Sequence, residues 1–309
     1  MLHIHGSFFE LFMLFLAMKN KTLAEHRRLC NDLLFRFYRD LSSPLSLREL
    51  IAEEGFSYAH FHRFFKAETG RNLALALRQI RLQKAASLLL TNRGSTIGEV
   101  AAACGFASHQ VFNRVFWGRF GMSPSVWRQG GFEFYAAQIM QTSEAASRSQ
   151  ADFSALEPKL IKLPPRHAYY LRHRGYNRGI AKTWERLLAW AIDRNLPSGL
   201  PQIGLHHDNP VITPLSECGY VAAIEVQSPV ANPGSLGYFE IPGGLYAVFE
   251  ATGVYGDVLR LMRRVYHGWL PASGYEAKAL PAYALYRRNH FVDPDGYFDL
   301  SFHVPVSVL

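Results

Sequence analysis

The first half of the chain contains the same pattern twice. Residues 95–128 read STIGEVAAACGFASHQVFNRVFWGRFGMSPSVWR. Ile97, Val100 and Ala101 are apolar at helical spacing, and Thr96 with Glu99 makes an N-cap and capping box. Gly105 supplies the positive φ that a tight turn between crossing helices requires. A second helix begins at Ala107 or Ser108, with Val111, Phe112, Val115 and Phe116 on its buried face and His109, Gln110, Asn113 and Arg114 on the other. Gly121 ends it, and Ser123-Pro124 starts another helix with a serine cap and a proline in the first turn.

Ser46 to Ser57 repeats Thr96 to Ala107 at an offset of 50, and Arg63-Phe64-Phe65 repeats Arg114-Val115-Phe116 at an offset of 51, so the two turns differ by one residue. A single helix-turn-helix is often only a hairpin within a helical bundle. Two in tandem are joined by the helix-forming stretch Leu73 to Thr91, a rigid spacer about 27 Å long that sets the distance between the two second helices. That is close to one turn of DNA, about 34 Å. A slightly shorter spacing would bend the duplex at a cost on the order of 1–6 kcal/mol.

Charge follows the same division. Residues 19–130 carry 17 Lys and Arg against eight Asp and Glu, whereas residues 131–309 balance at 16 each, within a net charge of +8. The basic excess attracts phosphate and makes binding salt-dependent, and the neutral remainder must do something else.

Residues 22–129, closing on Gly121-Met122-Ser123-Pro124 and Trp127-Arg128, resemble the DNA-binding domain of the AraC/XylS family of bacterial transcription regulators. The resemblance implies double-stranded DNA as partner, RNA polymerase as the family's further partner, and base contacts from early positions of each second helix. Those positions are Ala59, His62 and Arg63 in the first unit and Gln110, Val111 and Arg114 in the second. Arginine suits guanine, glutamine suits adenine, and valine suits a thymine methyl. A phosphate contact or an internal salt bridge is the alternative for Arg63 and Arg114. His60 and His62 fall on opposite sides of a helix with no third ligand near, so no metal is expected.

Residues 1–21 form a leader whose apolar run Phe8–Met18 is too short to span a bilayer and lacks a cleavage signal. A translated upstream extension or a frayed amphipathic segment is expected there, and no membrane association. Three scattered cysteines, Cys30, Cys104 and Cys218, without any CxxC pair argue for a reducing cytoplasm and against a disulfide framework or zinc site.

Residues 131–157 have the composition of a linker. Beyond them lies a second repeat, in which Lys162 to Gly175 aligns with Glu240 to Gly253 at an offset of 78. Each copy continues into an amphipathic helix (180–194 and 255–269) and then two strands, for the second copy 282–286 and 297–304. A duplicated βαββ unit predicts one antiparallel sheet with two helices on one face, leaving the other face or the cleft between copies open.

Residues 158–309 resemble the GyrI-like effector-binding domain through residues 241–253, Trp269 to Tyr275 and Pro281 to Tyr286. The resemblance implies a small-molecule pocket between the repeats, with Tyr170, Trp184, Phe249 and Tyr283 as candidate lining and a small hydrophobic or cationic effector. For each of these aromatics the alternative is ordinary core packing. Ala284 stands where many relatives place a glutamate that pairs with a cation, which leaves Glu225 or Glu250 to substitute. His206-His207-Asp208 beside a proline-bounded turn reads as an exposed loop.

The expected architecture is therefore multidomain: an all-α tandem helix-turn-helix domain (22–130), then an α+β domain of duplicated βαββ units (158–309). The expected function is a cytoplasmic, ligand-modulated transcription regulator without a cofactor. A carboxy-terminal domain that binds a protein partner is one alternative, and a GyrI-like small-molecule hydrolase another. No Ser-His-Asp order, HExxH or phosphate loop supports an enzyme.

Overall fold

The computed structural model describes residues 55–231, 233–278 and 280–308, together with 23, 25–34, 36–37, 41 and 47–53. The leader 1–21 lies outside the described residues.

The two helix-turn-helix units are built by the same local bonds. The first pairs α1 (Leu47–Glu53) with α2 (Tyr58–Thr69), and the second pairs α4 (Ile97–Ala103) with α5 (His109–Phe120); α3 (Leu73–Thr91) joins them. At the turns, the Gly55 amide donates to Ala52 and the Phe56 amide to Ile51; Gly105 and Phe106 repeat this on Ala102 and Ala101. Both glycines are left-handed, with φ of 79° and 72°. Ser57 caps α2 on the His60 amide, and Ser108 caps α5 on the Val111 amide. The extra residue in the second turn is thus Ala107, between the turn and the cap. Thr96 and Glu99 form the full capping box.

Each unit has its own core, and α3 serves both. Leu73, Ala76 and Ile80 pack with Leu29, Leu33, Phe37, Phe61 and Phe65. Its later residues, Leu82 to Leu90, pack with Val100, Phe112, Phe116, Phe120 and Trp127. The spacer is therefore rigid because both cores hold it. Val111 and Val115, expected on the buried face, are only partly buried, as is Phe64 of the first unit, since each lies at the edge of its helix's buried stripe.

The stretch of linker composition is largely helical: α6 (Phe132–Gln141) and α7 (Glu144–Arg148) occupy it. Ala136, Ile139, Met140 and Ala146 are buried, so packing of one small apolar face overrides a polar composition.

The carboxy-terminal half is a single antiparallel sheet in the order β1-β6-β9-β8-β3-β4-β2-β5, with the short β7 (Tyr275–Ala277) paired to β9. The repeats are β2 (Arg166–Arg174), α8 (Ile180–Asp193), β3 (Gln202–His206), β4 (Gly219–Glu225), and β6 (Gly244–Val254), α9 (Val258–Arg263), β8 (Ala282–Arg288), β9 (Tyr297–Val308). The leading strands β1 (Lys159–Leu163) and β5 (Gly237–Ile241) exchange places, so that each pairs with the other repeat's first strand. Two residues separate β1 from β2, a reach of about 10 Å. The strands nevertheless stand near opposite ends of the sheet order, so the sheet must curl until its ends meet. One face packs under the helices through Trp184, Leu187, Phe249, Leu261 and Phe302. The concave face carries Tyr170, Leu205, Val221, Tyr246 and Tyr283.

The connection between β3 and β4 is not an exposed loop. His206 and Asp208 are 7% and 5% exposed. Asp208 accepts from the Gly219 amide and Gln83 Nε2, each at 2.7 Å, and pairs with Arg71 at 3.4 Å. Ile212 enters the core of the second helix-turn-helix, and Glu217 meets Arg119 at 3.3 Å. The segment reads as a surface turn by composition because its partners in the amino-terminal half, Gln83, Arg71 and Arg119, lie 98 to 137 residues away. Asp208→Asn should cost about 1–3 kcal/mol by leaving the half-buried Arg71 charge without its carboxylate. Chemical denaturation of the full chain measures this, and an unchanged midpoint would rule out a structural role for the pair.

Candidate functional site

The six residues expected to meet DNA sit on the two second helices. Ala59, Arg63, Gln110 and Arg114 are exposed, and His62 and Val111 are partly so. His62 stacks on Tyr58, with ring centroids 6.2 Å apart. Arg63 and Arg114 make no ion pair or hydrogen bond with any described residue. Among the described residues, nothing takes up the donors of their guanidinium groups. His60 lies 3.4 Å from His26, and among the described residues no third ligand completes a metal site.

One residue of this face escaped the reading of the sequence. Trp117 is 59% exposed, on the same stripe of α5 as Gln110 and Arg114. Its i+3 spacing from Arg114 was the available signal. The closing Trp127 and Arg128 face inward instead. Trp127 Nε1 donates to the Ala86 carbonyl at 3.1 Å, and Arg128 reaches the carbonyls of Leu89 and Ser95 at 3.3 and 2.7 Å. The signature that closes the domain therefore anchors the second unit to α3.

The four aromatic candidates of the carboxy-terminal half do not converge. Trp184 and Phe249 are fully buried beneath the helices, where Trp184 Nε1 donates to Tyr220 Oη at 3.1 Å. Tyr170 and Tyr283 lie on the opposite, concave face. Alternation along a strand sends Tyr283 and Ala284 to different faces, and Ala284 packs in the helix-side core. The two carboxylates that were to replace a glutamate there already have partners. Glu225 meets Arg166 at 2.6 Å, and Glu250 meets Arg287 at 2.7 Å.

The concave face encloses a cavity of 190 Å³. Tyr170, Leu205, Val221, Ile241 and Tyr246 line it from the sheet, and Asn31 and Leu34, from the helical run 25–34, close it from the amino-terminal half. Asn31 Nδ2 donates to Tyr170 Oη, and Arg172 Nη2 donates to Asn31 Oδ1. Burial holds the Tyr170 hydroxyl up at about 12, so it stays a protonated donor. Sequence reasoning missed Asn31, which carries no motif and acts only through this contact.

No helix among the described residues is long and apolar enough to cross a membrane. All three cysteines are buried and unpaired.

Residues 50–130 match a family described as a helix-turn-helix domain, and residues 156–307 match the GyrI-like small molecule binding domain. The chain is 37% identical over 111 residues to the HTH-type transcriptional activator RhaR of Pectobacterium carotovorum, covering 36% of this chain and 38% of that protein. It is 37% identical over 99 residues to the right origin-binding protein of Escherichia coli K12, covering 32% and 34%. The chain thus spans well under half the length of these curated relatives. Among solved structures, an AraC-type transcriptional regulator from Chromobacterium violaceum aligns with 33% of this chain and 91% of its own, at 23% identity and a TM-score of 0.31. The chain carries an AraC-type helix-turn-helix domain followed by a GyrI-like small molecule binding domain.

Proposed function

We propose that the chain is a transcription regulator that reads an operator through α2 and α5 and responds to a small molecule held by its carboxy-terminal half. The observation that carries this reading is the pair of identically capped second helices, fixed on one shared helix, each presenting an arginine without a partner among the described residues. Ala59, His62, Arg63, Gln110, Val111 and Arg114 are the proposed contacts. Their setting in the basic half of the chain supplies the phosphate attraction. The GyrI-like match supports the ligand-binding role of residues 156–307. RNA polymerase is the further partner that the resemblance implies, and cytoplasmic residence and a non-enzymatic role follow from the same reading.

Fluorescence anisotropy of the full chain on its own upstream DNA, with salt varied, tests the proposal. Affinity should fall steeply with salt. Arg114→Ala should lose about 1–3 kcal/mol on the specific site and relax one base position. Equal loss on random DNA would make Arg114 a phosphate contact. Absence of any salt-dependent binding would overturn the regulator reading.

A further inference from the structure

We propose that the concave cavity is the effector site, that it takes a flat carboxylate of one or two rings, and that this occupant and the roof supplied by residues 25–34 exclude one another. The inference rests on the ligand-binding role proposed above and adds its place, its chemistry and its consequence.

Size limits the occupant first. An apolar cavity of about 150 Å³ takes up benzene. At 190 Å³, with walls of Leu205, Val221, Ile241 and Tyr246, the site admits a substituted ring or a compact bicycle. Its polar groups then select the headgroup. Tyr170 Oη and Arg172 stand side by side on β2, and the carboxamide of Asn31 now spans both. Arg172 Nη1 faces His207 at 3.2 Å, and its Nε is buried without a hydrogen-bond partner, 3.8 Å from Glu68. A carboxylate satisfies the arginine fork and the tyrosine hydroxyl together, in charge-assisted bonds that a neutral amide cannot match. The acidic groups of the lining stand at the rim. Asp32 is 44% exposed and pairs with Arg28 at 3.1 Å; Glu240 is 55% exposed, with His167 at 3.9 Å. Arg172, at 14% exposure, is the charge an occupant meets inside. A cationic headgroup would face it.

The roof links occupancy to DNA reading. Asn31 and Leu34 sit on a helical run whose Leu29 and Leu33 belong to the core of the first helix-turn-helix. Glu68, in the last turn of α2, joins Arg27 of that run at 3.2 Å and Arg172 of the sheet at 3.8 Å. An occupant that takes Arg172 from Asn31 also weakens the hold on Glu68. The second unit is held separately, through Ile212 and the Arg119–Glu217 pair. Filling the cavity therefore loosens one recognition helix while leaving the other seated.

The test titrates the full chain by calorimetry with three naphthalene probes: 2-naphthoate, 2-naphthol and 2-naphthylmethylammonium. Naphthoate should bind best and the ammonium worst. Asn31→Ala should tighten naphthoate about tenfold, because the competing carboxamide is gone. Val221→Phe, which fills the cavity, should abolish binding, and Arg172→Gln, which leaves the floor intact, should erase the preference for the anion. Hydrogen exchange should rise over residues 25–34 when naphthoate is bound. Preference for the ammonium would overturn the headgroup assignment. Unchanged exchange over the roof would overturn the exclusion, and no binding even to Asn31→Ala would overturn the site. Anisotropy on the upstream DNA with the same sample separates the two readings. Intact DNA binding with a failed naphthoate titration sinks only this inference, whereas lost DNA binding sinks the regulator reading.

Discussion

Lowering the pH from 7 to 5 is expected to destabilise the carboxy-terminal half by several kcal/mol. Burial, the largest cause in each case, pushes His206, His267 and His290 down to about 3 and His303 to about 4. Neighbouring positive charge adds to it: Arg263 near His267, Arg178 near His290 and Arg166 near His303. In the folded chain these rings stay neutral down to that range, whereas in an unfolded chain they take up protons near pH 6.5. Between those values the unfolded chain binds more protons, so stability rises with pH across the window. The contribution is complete above about pH 6.5 and is lost as the pH falls toward 3, at about 1 kcal/mol per pH unit for each ring. His290 illustrates the cost, because neither of its ring nitrogens has a hydrogen-bond partner among the described residues. Thermal melts of the full chain at pH 7, 6 and 5 measure the effect, and His290→Phe should flatten it. A midpoint that does not move between pH 7 and 5 would contradict the burial of these rings.

Trp127→Ala should remove about 3–5 kcal/mol from the second helix-turn-helix. The indole is 0% exposed, lies 4.6 Å from Phe120 and 5.7 Å from Phe116 between ring centroids, and ties the closing turn to α3 through Ala86. Phe116, Phe120 and Ala86 are already packed around it, and the partly buried Phe132 and Tyr135, at 6.2 and 5.6 Å, border it from outside this core. The loss should fall on the second unit first, because the first has a separate core. DNA affinity should drop with it, as α5 loses the platform that orients Gln110 and Arg114. Trp127→Phe, which keeps most of the apolar surface, should cost much less. Urea denaturation followed by circular dichroism tests this. A loss below about 1 kcal/mol for the alanine variant would mean that the cavity closes by repacking.

The amino-acid sequence by itself determined whatever depends on near neighbours. The capping box at Thr96 and Glu99, the left-handed Gly55 and Gly105, the serine caps of both recognition helices and the one-residue difference between the turns are all local bonds. Residue type and short spacing specify them, so they are legible without a fold. The duplicated βαββ order was legible for the same reason, as repeated strand and helix patterns at a fixed offset.

Tertiary structure alone decided how the halves meet. The exchange of β1 and β5 between repeats, the contacts of Asp208 and Glu217 with the amino-terminal half, and the Asn31 roof over Tyr170 and Arg172 join residues between 67 and 141 positions apart, with no periodic signature. It also divided the aromatic candidates, sending Tyr170 and Tyr283 to the concave face and Trp184 and Phe249 beneath the helices. Strand alternation shows that neighbouring residues face opposite ways. Which of those ways is core and which is cavity depends on where the sheet curls and what covers it.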